Sequence, residues 1–134
     1  MVQEERQESG QAEPGDELVV VATYLPLRNF WDIIPFMRMS RRVEEQLKEA
    51  HGLIRYGLRA KLLRQRFWTC SVWADRASVD SFVSAEPHAS AMQRFKKWSG
   101  KDVAFVEWRT RDDAIDWTDA LERLKNPINQ YGGA

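Results

Sequence analysis

The segment 66–88 constrains the fold more than any other part of this sequence. Residues 66–74 alternate between two sets of side chains, which is the two-residue period of a β-strand. Asp75 is a good N-cap for a helix that runs to about Ala85, and Pro87 fits the first turn of a further helix. The segment therefore predicts a strand and two helices, with His88 at the junction of the helices. The strand carries one face of Trp68, Cys70 and Val72 and a second face of Phe67, Thr69, Ser71 and Trp73.

The remaining elements follow from the same kind of pattern. Residues 18–25 and 102–110 predict strands, and residues 54–62 alternate with Ile54 and Tyr56 on one face. Apolar residues at helical spacing predict helices over about 29–50, 87–98 and 114–124. The order β-α-β-β-α-β is the ferredoxin-like arrangement. We expect an α+β fold: a four-stranded antiparallel sheet with its helices on one face.

Composition divides the chain into one domain and two tails. Residues 1–16 are rich in Glu, Gln, Gly and Ser, so they predict a disordered acidic N-terminal tail. Residues 17–125 are long enough to bury a single core and predict one α+β barrel domain. Residues 126–134 are expected to be a C-terminal tail.

Charge and cysteine content limit the partners and the compartment. A single cysteine, Cys70, excludes an internal disulfide framework and favours the cytoplasm. Because the chain has no apolar run that could span a bilayer and no signal-peptide core, we expect no membrane partner. Nine bases against three acids over residues 38–66 favour the solvated face of a helix and a strand, so no nucleic-acid partner is expected either.

The second face of the sheet predicts a homodimer. Helices on one face leave the other face with large apolar side chains, and an exposed patch of that size is unusual for a monomer. Two such sheets packed face to face would form a dimeric α+β barrel. Arg55, Arg59 and Lys61 share one strand face that we expect to turn toward the partner, and Glu107 and Arg109 share the corresponding face of the last strand. Together these residues predict a set of cross-strand or interface ion pairs. The alternative for these cations is a pocket for an anionic ligand.

Residues 71–88 carry a resemblance to a known family. The strand end Ser71–Asp75, the helix containing Phe82, and the Pro87-His88 start of the next helix resemble the antibiotic-biosynthesis-monooxygenase-like proteins of the dimeric α+β barrel superfamily. The resemblance covers roughly residues 17–110. It implies cofactor-independent oxygenase chemistry (an oxidoreductase) on an apolar or aromatic small molecule, bound between the helices and the sheet.

The resemblance also assigns roles to single residues and leaves two other functions open. It implies that His88 handles the proton, and that a substrate would contact the side chains of Trp73, Phe82, Tyr24, Ser71 and Met92. No cofactor and no metal are expected. One alternative is a haem-binding protein with His88 as axial ligand, although haem-degrading relatives carry an asparagine where this sequence has Thr23 and Tyr24. The other alternative is a non-catalytic dimeric ligand-binding or interaction module, so enzymatic activity stays open.

Overall fold

The computed structural model describes the backbone of residues 2–7 and all of residues 17–126. Five antiparallel strands form one sheet in the order β1-β3-β4-β2-β5, and the four predicted strands in it confirm the ferredoxin-like α+β fold. The strands are β1 Val2–Gln7, β2 Leu18–Pro26, β3 Leu53–Lys61, β4 Arg66–Trp73 and β5 Ala104–Thr110. The α-helices are α1 Ile33–Lys48, α2 Arg76–Ser84, α3 His88–Trp98 and α4 Trp117–Leu124, and Phe30–Asp32 and Leu62–Arg64 are single 3₁₀ turns.

The edge strand β1 is the first difference from the sequence prediction. Residues 2–7 were expected within a disordered tail, whereas the structure pairs them with β3 from Val2 opposite Ala60 to Gln7 opposite Arg55. The pairing of an edge strand rests on backbone hydrogen bonds to one neighbour, which a search for apolar periodicity does not detect. The rest of the predicted tail, residues 8–16, and residues 127–134 lie outside the described residues.

Helices α1, α2 and α3 pack on one face of the sheet, which we call the helix face. The predicted alternation of β4 is confirmed: Phe67 and Trp73 contact buried side chains of this layer, while Cys70 and Val72 belong to a separate cluster on the opposite face. Pro35 lies in the first turn of α1, where a missing N–H breaks no helical bond, so the helix continues through it.

A bulge interrupts the alternation of β3. The register shifts between Leu53 and Arg55, and as a result Ile54 packs with the opposite-face cluster while Tyr56 packs beneath the helices. The sequence prediction that placed Ile54 and Tyr56 on one face is therefore wrong. A bulge inserts one extra residue into a strand, and a two-residue period cannot reveal it.

Helix α4 covers much of the face that we expected to be open. Trp117, Ala120 and Leu124 are buried against Val20 and Cys70 on the side of the sheet away from the other helices. The expectation that all helices lie on one face is thus corrected. Three aromatic side chains beside α4 stay partly exposed and remain accessible to a partner on this face: Tyr24, Trp68 and Trp108.

The predicted ion-pair face is also wrong, because its members lie on different sides of the sheet. Glu107 is paired with Val21 in the sheet register, points to the helix face and forms a salt bridge with Arg76 at the start of α2. Arg55 lies on the α4 side, where a guanidinium nitrogen is 3.9 Å from Asp113. The guanidinium of Arg59 lies 4.8 Å from the centre of the Trp117 ring on that same side.

Candidate functional site

Asp75 begins the helix that carries one wall of the site. Its carboxylate accepts a hydrogen bond of 2.8 Å from the backbone amide of Ser78, which confirms the predicted N-cap of α2. That bond, together with one from the Ser78 hydroxyl, lowers the pKa of Asp75, so the carboxylate is ionised at neutral pH. The cap fixes the point at which the chain leaves β4 and turns over the sheet.

Three aromatic side chains connect β4 with the junction of α2 and α3. The ring centres of Trp73 and Phe82 are 5.4 Å apart, and those of Phe82 and His88 are 4.9 Å apart. Trp73 is 2% exposed, and its indole N–H donates a 2.8 Å hydrogen bond to the hydroxyl of Ser71. The structure thus brings together four of the side chains that the sequence singled out.

His88 is the first residue of α3 and its ring is half-buried. Burial lowers the pKa of His88 below its ordinary value of 6.5, against a smaller opposing effect of the Val83 carbonyl. Nδ1 lies 3.2 Å from that carbonyl oxygen, which can only accept, so Nδ1 carries the proton of the neutral ring. Nε2 then has the lone pair, and a neutral imidazole in this tautomer can act as a base at Nε2.

Gln46 on α1 holds the backbone of the histidine in place, a role that no sequence pattern indicated. Its side-chain amide donates to the carbonyl oxygen of Phe82 at 3.0 Å, and its side-chain oxygen accepts from the backbone amide of His88 at 2.8 Å. A longer contact of 3.5 Å reaches the carbonyl of Ala85. A glutamine in a helix is ordinarily solvated, and only the packing of α1 against the turn between α2 and α3 reveals its partners.

We expect Gln46→Ala to lower the free energy of unfolding by about 1–3 kcal/mol, because two backbone groups lose partners that they have in the fold. The turn that carries His88 would also loosen. The measurement is urea denaturation, with Gln93→Ala as the control: Gln93 is an exposed glutamine of α3 whose side chain contacts Lys96 at 3.4 Å. Equal stability of the two variants would contradict the positioning role.

A cavity of about 520 Å³ lies between the end of α1 and α2. Gln46 and Phe82 line it, so it shares two residues with the histidine site, whereas His88 and Trp73 do not line it. Its other lining residues are largely polar: Glu49, Ala50, His51, Asp75, Ala77, Ser78, Ser81, Ala85 and Glu86. Three carboxylates in this lining disfavour an anionic ligand. The volume is within the range of small-molecule sites.

One of the predicted contact residues, Tyr24, lies elsewhere, and another, Met92, is exposed to solvent. Tyr24 is on the opposite face of the sheet, where its ring stacks on Trp68 at 5.5 Å, so it is not brought to His88. This follows from β2, whose alternation puts Thr23 on the helix face and Tyr24 on the other. Met92 is one helical turn beyond His88 on α3 and is exposed. A hydroxyl pair, Thr23 with Thr69, occupies the helix face at the position where Tyr24 was expected.

Comparison with known proteins supports the fold. The sequence matches no known family profile and no curated protein. A conserved protein from Methanosarcina mazei Go1 superposes with a TM-score of 0.64 at 15% identity, over 72% of this chain and 96% of that chain. An antibiotic biosynthesis monooxygenase superposes at 0.61 and 17% identity, over 73% and 99%. This chain has the fold of antibiotic biosynthesis monooxygenases.

SnoaB is a further structure with this fold. It is a cofactor-independent oxygenase from Streptomyces nogalater, with a TM-score of 0.55 and 14% identity, over 75% of this chain and 99% of that chain. Identities of 14–17% establish the architecture alone. Any activity of this chain therefore has to be argued from its own residues.

The residues around His88 do not fit haem. An axial histidine needs space beside the imidazole for the macrocycle, a site of roughly several hundred Å³. His88 lines neither the 520 Å³ cavity nor a second, 140 Å³ cavity beside α4, and Phe82 packs on its ring. Within residues 17–126, no group of three or more His, Cys, Asp or Glu side chains is placed to hold a metal ion. Cys70 is buried in the cluster beneath α4, away from the histidine.

Proposed function

We propose that this chain binds a neutral aromatic small molecule and promotes its oxidation by dioxygen without a cofactor, with His88 as the base. The observation that carries the proposal is the neutral imidazole of His88, packed on Phe82, the side chain that also lines the 520 Å³ cavity. Phe82 is half-buried. The proposal requires its side chain to rotate when the substrate binds, so that the substrate in the cavity reaches Nε2. The similar fold of the cofactor-independent oxygenase SnoaB supports this reaction class.

The proposed reaction requires one catalytic group from the protein, a general base. A substrate methylene that is flanked by aromatic rings or carbonyls gives up a proton to Nε2 of His88. The resulting carbanion supplies the electrons that reduce dioxygen. Overall, R₂CH₂ and O₂ give R₂C=O and H₂O: two C–H bonds break, one oxygen atom enters the ketone and the other leaves as water. Glu49, Asp75 and Glu86 in the cavity lining favour a substrate that arrives uncharged.

The test is oxygen uptake with anthrone, a three-ring ketone with one acidic methylene, in buffer free of metals and cofactors. We expect wild-type protein to form anthraquinone, and His88→Ala to lower the rate about 10²–10⁴-fold, the usual contribution of a general base. Gln93→Ala is the control, because Gln93 is an exposed residue of the same helix whose side chain contacts Lys96. Product formation at an equal rate in wild type and His88→Ala would contradict the role of His88.

The same residue predicts a pH dependence. Activity should be constant near neutral pH and fall as the pH drops below 6.5 through the lowered pKa of His88. Stability follows the same direction: the unfolded chain takes up the proton first, so the free energy of unfolding decreases as the pH falls below 6.5. Above 6.5 the ring is neutral in both states and makes no such contribution. Parallel measurements on His88→Ala should lack both effects.

A second candidate function is a non-catalytic binding module. The almost complete burial of Trp73 and the hydrogen bond between its indole and Ser71 favour it, because both describe a side chain that serves the core. Absence of anthrone turnover together with saturable binding of anthrone would select this candidate over the oxygenase.

We further propose that the protein is a cytoplasmic homodimer that uses the partly exposed Tyr24, Trp68 and Trp108 beside α4. The apolar character of these side chains and the similarity to the dimeric α+β barrel proteins support this assembly. Because α4 already covers part of this face, the contact would be smaller than a full sheet-on-sheet interface.

A further inference from the structure

One end of the sheet brings together three connections of the chain. Residues 27–34 contain the connection from β2 to α1, residues 61–66 the connection from β3 to β4, and residues 97–103 the connection from α3 to β5. Each range includes one or two flanking residues of the adjoining helix or strand. Backbone hydrogen bonds of 2.8 Å join them: Leu27 to Gln65, Arg28 to Trp98, and Gly100 to Pro26. We call the surface formed by these three connections the basic end. These bonds hold the three connections next to one another.

Large apolar side chains project from the basic end into solvent. Trp31 is 75% exposed and Leu63 is 87% exposed, and Phe30, Ile34 and Leu62 are exposed as well. None of them belongs to the buried cluster of Leu27, Phe36, Phe67 and Phe95, in which the rings of Phe36 and Phe67 pack at a tilt of 44° with centres 4.5 Å apart. Several exposed apolar side chains on one surface indicate an interaction site rather than a requirement of folding.

Exposed basic residues are frequent in the same three ranges. The three connections contain two carboxylates, Asp32 and Asp102, and six exposed basic residues: Arg28, Lys61, Arg64, Arg66, Lys97 and Lys101. The whole chain has no net charge, so the positive charge is concentrated at this end of the sheet. Such a surface complements a negatively charged partner that also has an apolar interior.

We propose that the basic end binds the surface of an anionic lipid bilayer. Trp31, Leu63 and Ile34 would enter the boundary between headgroups and acyl chains, while the arginines and lysines contact lipid phosphates. A nucleic acid or an acidic peptide would use the cations but leave Leu63 and Ile34 in water. A second copy of this chain, meeting the same surface across a two-fold axis, would bring six cations against six.

Partial insertion requires no spanning element. Among the described residues, no helix is long and apolar enough to cross a bilayer. The expectation of no membrane partner rested on the absence of a spanning run. The bilayer site lies at the opposite end of α1 from Gln46, which contacts the backbone of His88, and its residues take no part in the proposed oxygenase reaction.

The experiment is co-sedimentation of the full chain with vesicles of phosphatidylcholine alone, or with 30% phosphatidylglycerol. We expect binding to the anionic vesicles that weakens with salt, and at least about tenfold weaker binding to phosphatidylcholine. Arg64→Glu should weaken binding at least about fivefold, and Trp31→Ala with Leu63→Ala at least about tenfold. Lys48→Glu is the matched control: the same charge change at an exposed position on the far end of α1.

Each other outcome overturns the proposal. Unchanged vesicle binding by the Trp31→Ala, Leu63→Ala variant would reduce the surface to a general polyanion site. An equal loss of vesicle binding in Lys48→Glu would show that binding depends on the net charge of the protein and not on this surface. Absence of vesicle binding by the wild-type chain, with dimers that the Trp31→Ala, Leu63→Ala variant converts to monomers, would assign the surface to a second copy. Circular dichroism of every variant confirms that the fold is intact.

Discussion

Gly52→Ala is expected to lower the free energy of unfolding by about 3 kcal/mol or more. Gly52 has a φ of +85°, a conformation that costs an L-amino acid about 1–2 kcal/mol. An added Cβ would also lie 2.1 Å from the hydroxyl oxygen and 2.5 Å from the Cβ of Ser78, which is buried in the first turn of α2. Overpacking of this kind typically costs a further 1–3 kcal/mol or so. Thermal denaturation should show a midpoint lower by on the order of 10 °C.

A control and a coupling experiment make this prediction specific. Gly100→Ala should change stability by less than about 0.5 kcal/mol, because a Cβ there meets nothing closer than the Leu27 backbone at 3.5 Å. Ser78→Gly removes the atoms that the new methyl group would meet, so in the double variant the two losses should not add. Strict additivity would contradict the close approach of Gly52 to α2.

Trp117→Ala is the second substitution with a large effect: we expect it to lower the free energy of unfolding by about 3–5 kcal/mol. Trp117 is 5% exposed at the start of α4, and it packs on the sheet face that contains Val20 and Cys70. The substitution would leave a cavity and would also remove the ring over which the guanidinium of Arg59 lies. Urea denaturation measures the loss, and light scattering should show increased self-association as the apolar sheet face is uncovered.

Trp31→Ala is the matched control for this tryptophan. Because Trp31 is 75% exposed, its removal should change stability by less than about 0.5 kcal/mol. A loss below about 1 kcal/mol in Trp117→Ala would show that α4 does not dock on the sheet in solution. The face would then be open, as the sequence alone predicts.

The sequence predicted those parts of the fold that depend on local pattern. Alternation placed the side chains of β4 correctly because both of its faces are buried, and Asp75 could be recognised as a cap because it follows a strand and precedes a helical period. The proximity of Trp73, Phe82 and His88 followed from the same strand–helix order.

Long-range packing could not be predicted from the local sequence pattern. The docking of Trp117 on the sheet and the docking of a partner subunit would demand the same apolar surface, so the sequence could not choose between them. Glu107 was assigned to the wrong face, and the alternation of its strand could not reveal that its salt-bridge partner, Arg76, comes from α2. Gln46 has partners 36 and 42 residues away along the chain, a separation at which no periodicity operates.

Helix α1 connects the basic end with the backbone around His88. Ile34 stands at the basic end and Gln46 touches the backbone of His88, and twelve residues of helix separate them by about 18 Å. Because a helix moves as a stiff unit, a tilt at one end displaces the residues at the other end. A tilt of about 5° about the Ile34 end would displace Gln46 by about 1.6 Å over that length, enough to part the 2.8 Å hydrogen bond to His88. A contact that tilts α1 at the basic end would therefore change the position of Gln46 beside His88.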